Sequence, residues 1–165
     1  MTTTPSPVAI VRADLDRPEH RLAVVELTNA YAQDPLGNGA PLAPDVLDRL
    51  LTGLRDTPTA MIWMAYVDGQ PAGIATCFRG FSTFQARPLI NVHDLSVRPE
   101  YRARGIGRAL LGAVADEARR IGCCRVTLEV QAENVPARRL YEQEGFTHAL
   151  ATTAAGGALF YTKPL

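Results

Sequence analysis

The segment Arg102-Ala103-Arg104-Gly105-Ile106-Gly107-Arg108 decides how the rest of this chain is read. It lies between a predicted strand, Leu89–Val97 (LINVHDLSV), and a predicted helix from Gly105 to Ile121. Glycines at such a junction let the backbone approach an anion closely. The free N–H groups of the helix's first turn point at that anion, and the helix dipole adds partial positive charge. Arg102, Arg104 and Arg108 place full charges around the same helix start. The segment reads as a phosphate cradle, with a glycine-bearing turn and solvated arginines as the plain alternative. A dinucleotide fingerprint needs G-x-G-x-x-G, but position 110 is Leu, so the third glycine is missing. No G-x-x-x-x-G-K-[ST] string occurs either. What fits is R-x-x-G-x-G, from Arg102 to Gly107.

Working outward, Ile106, Ala109, Leu110, Ala113 and Val114 give the predicted helix a buried stripe, and Gly122 lies just past its end. Arg125–Val130 (RVTLEV) reads as a strand, and Asn134 to Glu144 as a helix closed by Gly145. Further strands are expected at Thr147–Thr152 and Ala158–Lys163. Upstream, Val8–Arg12 is a short strand, and Pro18 opens a helix to Gln33 with Leu22, Val25, Leu27, Ala30 and Tyr31 as an apolar face. Asp34-Pro35 ends it, Leu36–Pro44 reads as a flexible loop, and Asp45–Arg55 as a second helix. Ala60–Val67 and Pro71–Phe78 form a hairpin around Asp68-Gly69, and Arg79–Arg87 reads as a loop. The order β-α-α-β-β-β-α-β-α-β-β predicts an α/β (α+β mixed-sheet) fold, one domain over residues 1–165.

Composition narrows the function. Lys+Arg and Asp+Glu are 17 each in 165 residues, and zero net charge argues against a nucleic-acid binder. Lys163 is the only lysine, so arginine supplies nearly all the positive charge. No apolar run is long enough to cross a membrane, and Met1–Pro7 lacks the basic start and apolar centre of a secretion signal. Cys77, Cys123 and Cys124 have no C-x-x-C spacing and read as reduced, buried filler, which suits a cytoplasmic protein. Three scattered histidines offer no metal site. Asn91 and His93 alternate with Val92 and so project from one strand face. His20 and His148 sit in peripheral contexts and carry no assigned role.

The flanks of the cradle extend the pattern. Upstream stand Leu95-Ser96-Val97 and a Pro-bearing turn, Arg98-Pro99-Glu100-Tyr101. Downstream stand Leu128-Glu129-Val130 and an N-x-x-A-x-x-L-Y-x-x-x-G-F string, with Asn134, Ala137, Leu140, Tyr141, Gly145 and Phe146. Together these resemble the GNAT superfamily of acyl-CoA-dependent N-acyltransferases, clearly from about Asn91 to Phe146 and in element order over most of the chain. The resemblance implies a central mixed sheet of about six or seven strands flanked by about four helices, with a coenzyme-binding core at about residues 89–146. It implies acetyl-CoA as co-substrate, without a metal.

By the same resemblance, two parallel strands splay apart and the pantetheine arm lies between them, pairing with Leu95, Ser96 and Val97. The pyrophosphate rests on the amides of Arg102, Ala103, Arg104, Gly105, Ile106, Gly107 and Arg108. Asn134 bonds the pantetheine arm, Ala137 lines it, and Tyr141 lies near the thioester sulfur as general acid. Glu129 or His93 is the general base. Glu129 with Tyr141 resembles the pair of the family's ribosomal-protein N-terminal acetyltransferases, and Asp94 either orients His93 or closes a β-bulge. The acceptor cleft is expected at Tyr31, Asp34, the Leu36–Pro44 loop, Phe81-Ser82-Thr83-Phe84, Asn91 and His93. Expected acceptors are a small-molecule amine or a peptide N-terminus. The resemblance also allows a homodimer, for which no interface stripe stands out. A non-catalytic acyl-CoA sensor on the same fold is the alternative of a different class, and a nucleotide-binding oxidoreductase is a third.

Overall fold

The structure is a computed structural model that describes residues 7–148 and 157–165. Strand β1 (Val8–Arg12) is followed by helices α1 (Pro18–Gln33) and α2 (Pro44–Arg55). Strands β2 (Ala60–Val67), β3 (Gln70–Ser82) and β4 (Arg87–Val97) lead through a 3-10 turn at Pro99–Tyr101 into helix α3 (Ile106–Arg120). Strand β5 (Arg125–Gln131), helix α4 (Val135–Gln143) and strands β6 (Thr147–His148) and β7 (Ala158–Pro164) complete the order. The seven strands form one sheet, β1-β2-β3-β4-β5-β7-β6. Only β4 and β5 run parallel. A parallel neighbour needs a crossover, and α3 is that crossover.

Local chemistry accounts for most boundaries. Pro18 starts α1, and the Asp34 N–H closes it by bonding back to the Tyr31 carbonyl. Asp68 and Gly69 both take positive φ, 51° and 75°, as a tight hairpin turn between right-twisted strands requires. Three expectations are corrected. The β3–β4 hairpin runs on through Arg79↔Ile90, Gly80↔Leu89, Phe81↔Pro88 and Ser82↔Arg87, so residues 79–82 and 87 are strand rather than loop. The cross-strand ladder overrides the weak strand preference of Arg-Gly there. Leu22 is 72% exposed, and α1 instead buries Ala23, Val24 and Leu27. In α3, Leu111, Ala115 and Ala118 join Ile106, Leu110 and Val114 in the core, with Ala109 and Ala113 only half-buried. The strand expected at Thr147–Thr152 begins as β6, and residues 149–152 lie outside the described residues.

Each sheet face carries its own core. On one, α3 and α4 cover Ala75, Cys77, Ile90, Val92, Val126, Leu128 and Val130. On the other, Ala23, Val24 and Leu27 of α1 pack on Ile62, Met64 and Ile74, with Leu51 and Leu54 of α2 against them. All three cysteines are free and buried. The apparently peripheral His20 is also buried, its Nδ1 accepting the Asp14 N–H at 3.0 Å. No described helix is long and apolar enough to cross a membrane. Gly73 on β3 lies close under α3. A Cβ there would stand 2.9 Å from the Ser96 carbonyl oxygen and 3.2 Å from Ile106 Cγ2. Backbone cannot yield as a side chain can, so Gly73→Ala should cost about 2 kcal/mol in urea unfolding. An unchanged midpoint would contradict this close packing.

Candidate active site

The parallel ladder between β4 and β5 is short. It comprises Ile90↔Val126, Asn91↔Thr127 and Val92↔Leu128, and beyond it the strands part. At the point of parting, β4 carries a bulge: Cys77 pairs with Val92 and Thr76 with Asp94, which leaves His93 as the extra residue. Beyond the bulge, the Arg98 N–H bonds the Ala72 carbonyl on the β3 side. Backbone groups alternate sides along a strand, so the N–H groups of Val97 and Leu95 point the other way, into the gap. A cavity of about 820 Å³ fills the gap and continues past the Arg102–Arg108 loop.

The loop supplies a second row of unpaired donors. Ala103 and Gly105 have φ of 59° and 77°, and Gly105 precedes α3 without a side-chain cap. Among the described residues, no acceptor is found for the N–H groups of Ala103 through Arg108. Successive free amides beside a positive helix end make an anion-binding concavity. The glycines divide the work. Beside Gly105 there is open space, whereas a Cβ on Gly107 would meet Leu140 Cδ2 at 2.9 Å. Gly107 thus serves the approach of α4 to α3.

The three arginines are not equivalent. Arg102 donates from Nε to the Val97 carbonyl at 3.0 Å and from its terminal nitrogen to Asp34. Arg108 pairs with Glu144 at 2.7 Å, across to the end of α4. Arg104 lies over the Tyr101 ring, 5.5 Å from its centre, outside the cavity lining and without an ion pair among the described residues. Of the three charges expected around the helix start, two are thus engaged in ion pairs, and the Arg104 guanidinium stacks on Tyr101.

The wall opposite the loop brings the expected chemical groups together. Tyr141 lies on the buried side of α4, with ring centres of Phe146 and Tyr161 at 6.0 and 6.3 Å. Burial pushes its hydroxyl well above the ordinary tyrosine value, and Tyr31 adds to the shift. Tyr141 therefore stays protonated at neutral pH. Tyr31, His93, Leu95, Ser96, Val97, Glu129, Asn134, Ala137 and Tyr141 all line the cavity, with Arg102, Ala103, Gly105, Ile106, Gly107 and Arg108. Glu129 is exposed and accepts from Asn91 Nδ2 at 3.3 Å, while the same nitrogen donates to Thr127 Oγ1 at 3.1 Å. His93 is exposed and sits edge-on to Phe78, ring centres 5.5 Å apart. Asn134 is the N-cap of α4, its Oδ1 accepting the Ala137 N–H at 3.2 Å. Asp94 is half-buried, and its burial raises its pKa against an opposing pull from His93.

Ser82 and Phe84 do not join this site. Ser82 is buried at the far end of the β3–β4 hairpin beside Arg125, and Phe84 is fully exposed at the hairpin tip. Because β4 enters at Arg87 and parts from β5 only past Val92, that tip lies at the opposite end of the strand. The Leu36–Pro44 segment is a loop up to the start of α2, and its backbone bonds back to α1. Gly37 and Gly39 donate to the Asp34 carbonyl, Asn38 and Ala40 to the Ala32 carbonyl, and Leu42 to Asn29 Oδ1. A Cβ at Gly37 would overlap the Tyr31 carbonyl oxygen.

The sequence model of the acetyltransferase (GNAT) family matches residues 22–146. The chain belongs to that family. Streptothricin acetyltransferase of Streptomyces lavendulae is 38% identical over 79 residues, 48% of this chain and 40% of that protein. Ribosomal protein bS18-alanine N-acetyltransferase of Escherichia coli K12 is 43% identical over 56 residues, 34% of this chain and 38% of that protein. The chain thus spans less than half the length of these curated relatives. The crystal structure of the NatC complex bound to Gag peptide and CoA contains a chain with the same fold. That chain superposes with a TM-score of 0.72 at 22% identity, covering 96% of this chain and 98% of that one. Among the described residues, no group of three or more His, Cys, Asp or Glu side chains is placed to hold a metal ion.

The cavity of this GNAT chain also takes in residues that the sequence does not single out, among them Gln131, Pro136 and Gln143. Gln131 was accessible from the sequence, as the next residue on the Glu129 side of β5. Gln143 was not, because only the packing of α4 on α3 brings it to the loop. The Asn134 cap is testable by itself. Asn134→Ala should lower stability by about 1 kcal/mol, whereas Asn134→Asp should retain it, since Asp also caps. Equal urea midpoints for wild type and Asn134→Ala would remove the cap from the account.

Proposed function

We propose that the chain is an acetyl-CoA-dependent N-acetyltransferase that passes the acetyl group directly to a primary amine. The observation that carries this reading is the parting of β4 from β5 beside a row of unpaired loop amides. One cavity then offers hydrogen-bonding backbone for a pantetheine arm and an anion site for a diphosphate. Family membership supports the choice of coenzyme, and the NatC complex, which contains a chain of this fold, is bound to CoA.

The chemistry follows from what each group can do. A lysine-type amine with pKa about 10.4 is protonated at pH 7, and neutralising it costs about 4–5 kcal/mol. A base or a water chain removes that proton, and Glu129 and His93, which both line the cavity, are the candidate bases. The neutral amine attacks the thioester carbonyl, and the Leu95 N–H stabilises the oxyanion from the gap. Collapse of the tetrahedral intermediate expels the CoA thiolate, which takes the Tyr141 proton. The Tyr141 hydroxyl carries a proton at neutral pH, as any tyrosine does, and burial makes it a weaker acid than an exposed phenol. Asn134, whose Oδ1 is occupied by the cap, has its amide N–H groups left for the pantetheine arm.

Several relatives carry names that indicate small-molecule or protein N-terminal acceptors. A compact amine or a peptide N-terminus therefore heads the acceptor screen, read by release of the CoA thiol. Tyr141→Phe should lower kcat about 10- to 100-fold with less than about a two-fold change in acetyl-CoA affinity. An unchanged kcat would remove Tyr141 from the mechanism. Comparing pH–rate profiles of Glu129→Gln and His93→Ala separates the bases, because the variant lacking the base loses the acidic limb. Tight CoA binding with no transfer to any amine would instead favour a non-catalytic acyl-CoA sensor.

A further inference from the structure

Asp34 joins two parts of the molecule that the reaction needs together. Its carbonyl accepts Gly37 N–H at 2.8 Å and Gly39 N–H at 3.2 Å, and its Oδ1 accepts Leu36 N–H at 2.9 Å. These bonds fold the α1–α2 loop back on the end of α1, beside Tyr31. The other carboxylate oxygen accepts from Arg102, which also donates to the carbonyl of Val97 on the parted strand. The Asp34 side chain is only 8% exposed, so its pairing is shielded on the α1 side, while Arg102 is 47% exposed. The Leu36 N–H and the Arg102 guanidinium hold the Asp34 carboxyl below the usual carboxylate range against the opposing effect of burial.

We infer that Asp34 and Arg102 are positioning residues through which coenzyme in the loop fixes the acceptor-side wall, and that the Arg102 side chain is not a coenzyme ligand. The inference rests on the acetyltransferase reading. Its physical basis is the entropy of the loop. A half-exposed guanidinium contributes little by itself. The Arg102 N–H bonds the Pro99 carbonyl at 3.3 Å, but the backbone that follows has Ala103 at positive φ and a run of amides without protein acceptors among the described residues. An anion bonded to those amides fixes the chain on the far side of Arg102, so less freedom is lost when its side chain grips Asp34. The grip in turn holds the carboxylate that caps Leu36. Coenzyme affinity then rests on the backbone amides of the loop.

The test uses coenzyme A as the probe, with calorimetry for affinity and amide hydrogen exchange for the loop. Saturating CoA should slow exchange at Leu36, Gly37 and Gly39 of the wild type about ten-fold. In Arg102→Gln the CoA Kd should stay within about three-fold of wild type, while loop protection by CoA falls below about two-fold. Asp34→Asn, which keeps an oxygen for the Leu36 N–H, should behave likewise, and Arg102→Lys should restore part of the protection. A larger loss of CoA affinity in Arg102→Gln would assign its side chain to the coenzyme and overturn the inference. So would protection that survives in both Arg102→Gln and Asp34→Asn, or a wild-type loop indifferent to bound CoA. A wild type that does not bind CoA would instead overturn the acetyltransferase reading beneath it.

Discussion

Unpaired backbone in the middle of a sheet is costly, and this fold keeps it. A buried N–H or C=O without a partner forfeits about 1–3 kcal/mol. Natural structures therefore pair nearly all such groups or leave them to water and ligands. Here β4 has β5 as a neighbour for three residue pairs and then a cavity. The rest of the architecture supports that opening. The extra residue at His93 re-aims β4, β7 holds the other edge of β5 from Arg125 through Gln131, and Arg102 occupies the Val97 carbonyl. The groups left over face a space shaped for an extended chain that can hydrogen-bond along its length.

The helices place the chemistry around this opening. Because α3 is the crossover between the two parting strands, its first turn arrives at the end of the gap, where an anion attached to the bound chain would lie. Gly73 and Gly107 let α3 approach β3 on one side and α4 on the other. Through that contact α4 sets Tyr141 and Asn134 on the cavity wall. Burial among Phe146 and Tyr161 raises the pKa of the Tyr141 hydroxyl. In the proposed reaction, donor binding and proton donation would depend on this same packing.

Much of this was legible in the sequence because short-range signals announce it. Pro18 and Asp34-Pro35 bracket α1, and Asp68-Gly69 marks the hairpin. Gly105, Gly122 and Gly145 take the positive φ that only glycine adopts cheaply. The family resemblance carried by the motifs from Arg102 to Phe146 implies that the cradle, Asn134 and Tyr141 share one site, and all three line one cavity. What escaped was long-range. Arg-Gly-Phe-Ser gives a poor strand signal, so the extension of β3 was invisible, and with it the displacement of Ser82 and Phe84 from the site. The partner of Arg102 lies 68 residues earlier in the chain, and no local pattern predicts that pairing. The bonded state of the Leu36–Pro44 segment likewise depends on carbonyls of α1 that a composition rich in Gly and Pro conceals.

The central claim is that the backbone left unpaired by the parting of β4 and β5, together with the amides of the following loop, holds coenzyme A. A titration of the isotopically labelled protein with coenzyme A, followed by amide chemical shifts, addresses it residue by residue. The account expects the largest shifts at Leu95, Val97 and Ala103 through Arg108, saturating together. Saturable shifts confined to another surface, or none at all, would contradict it.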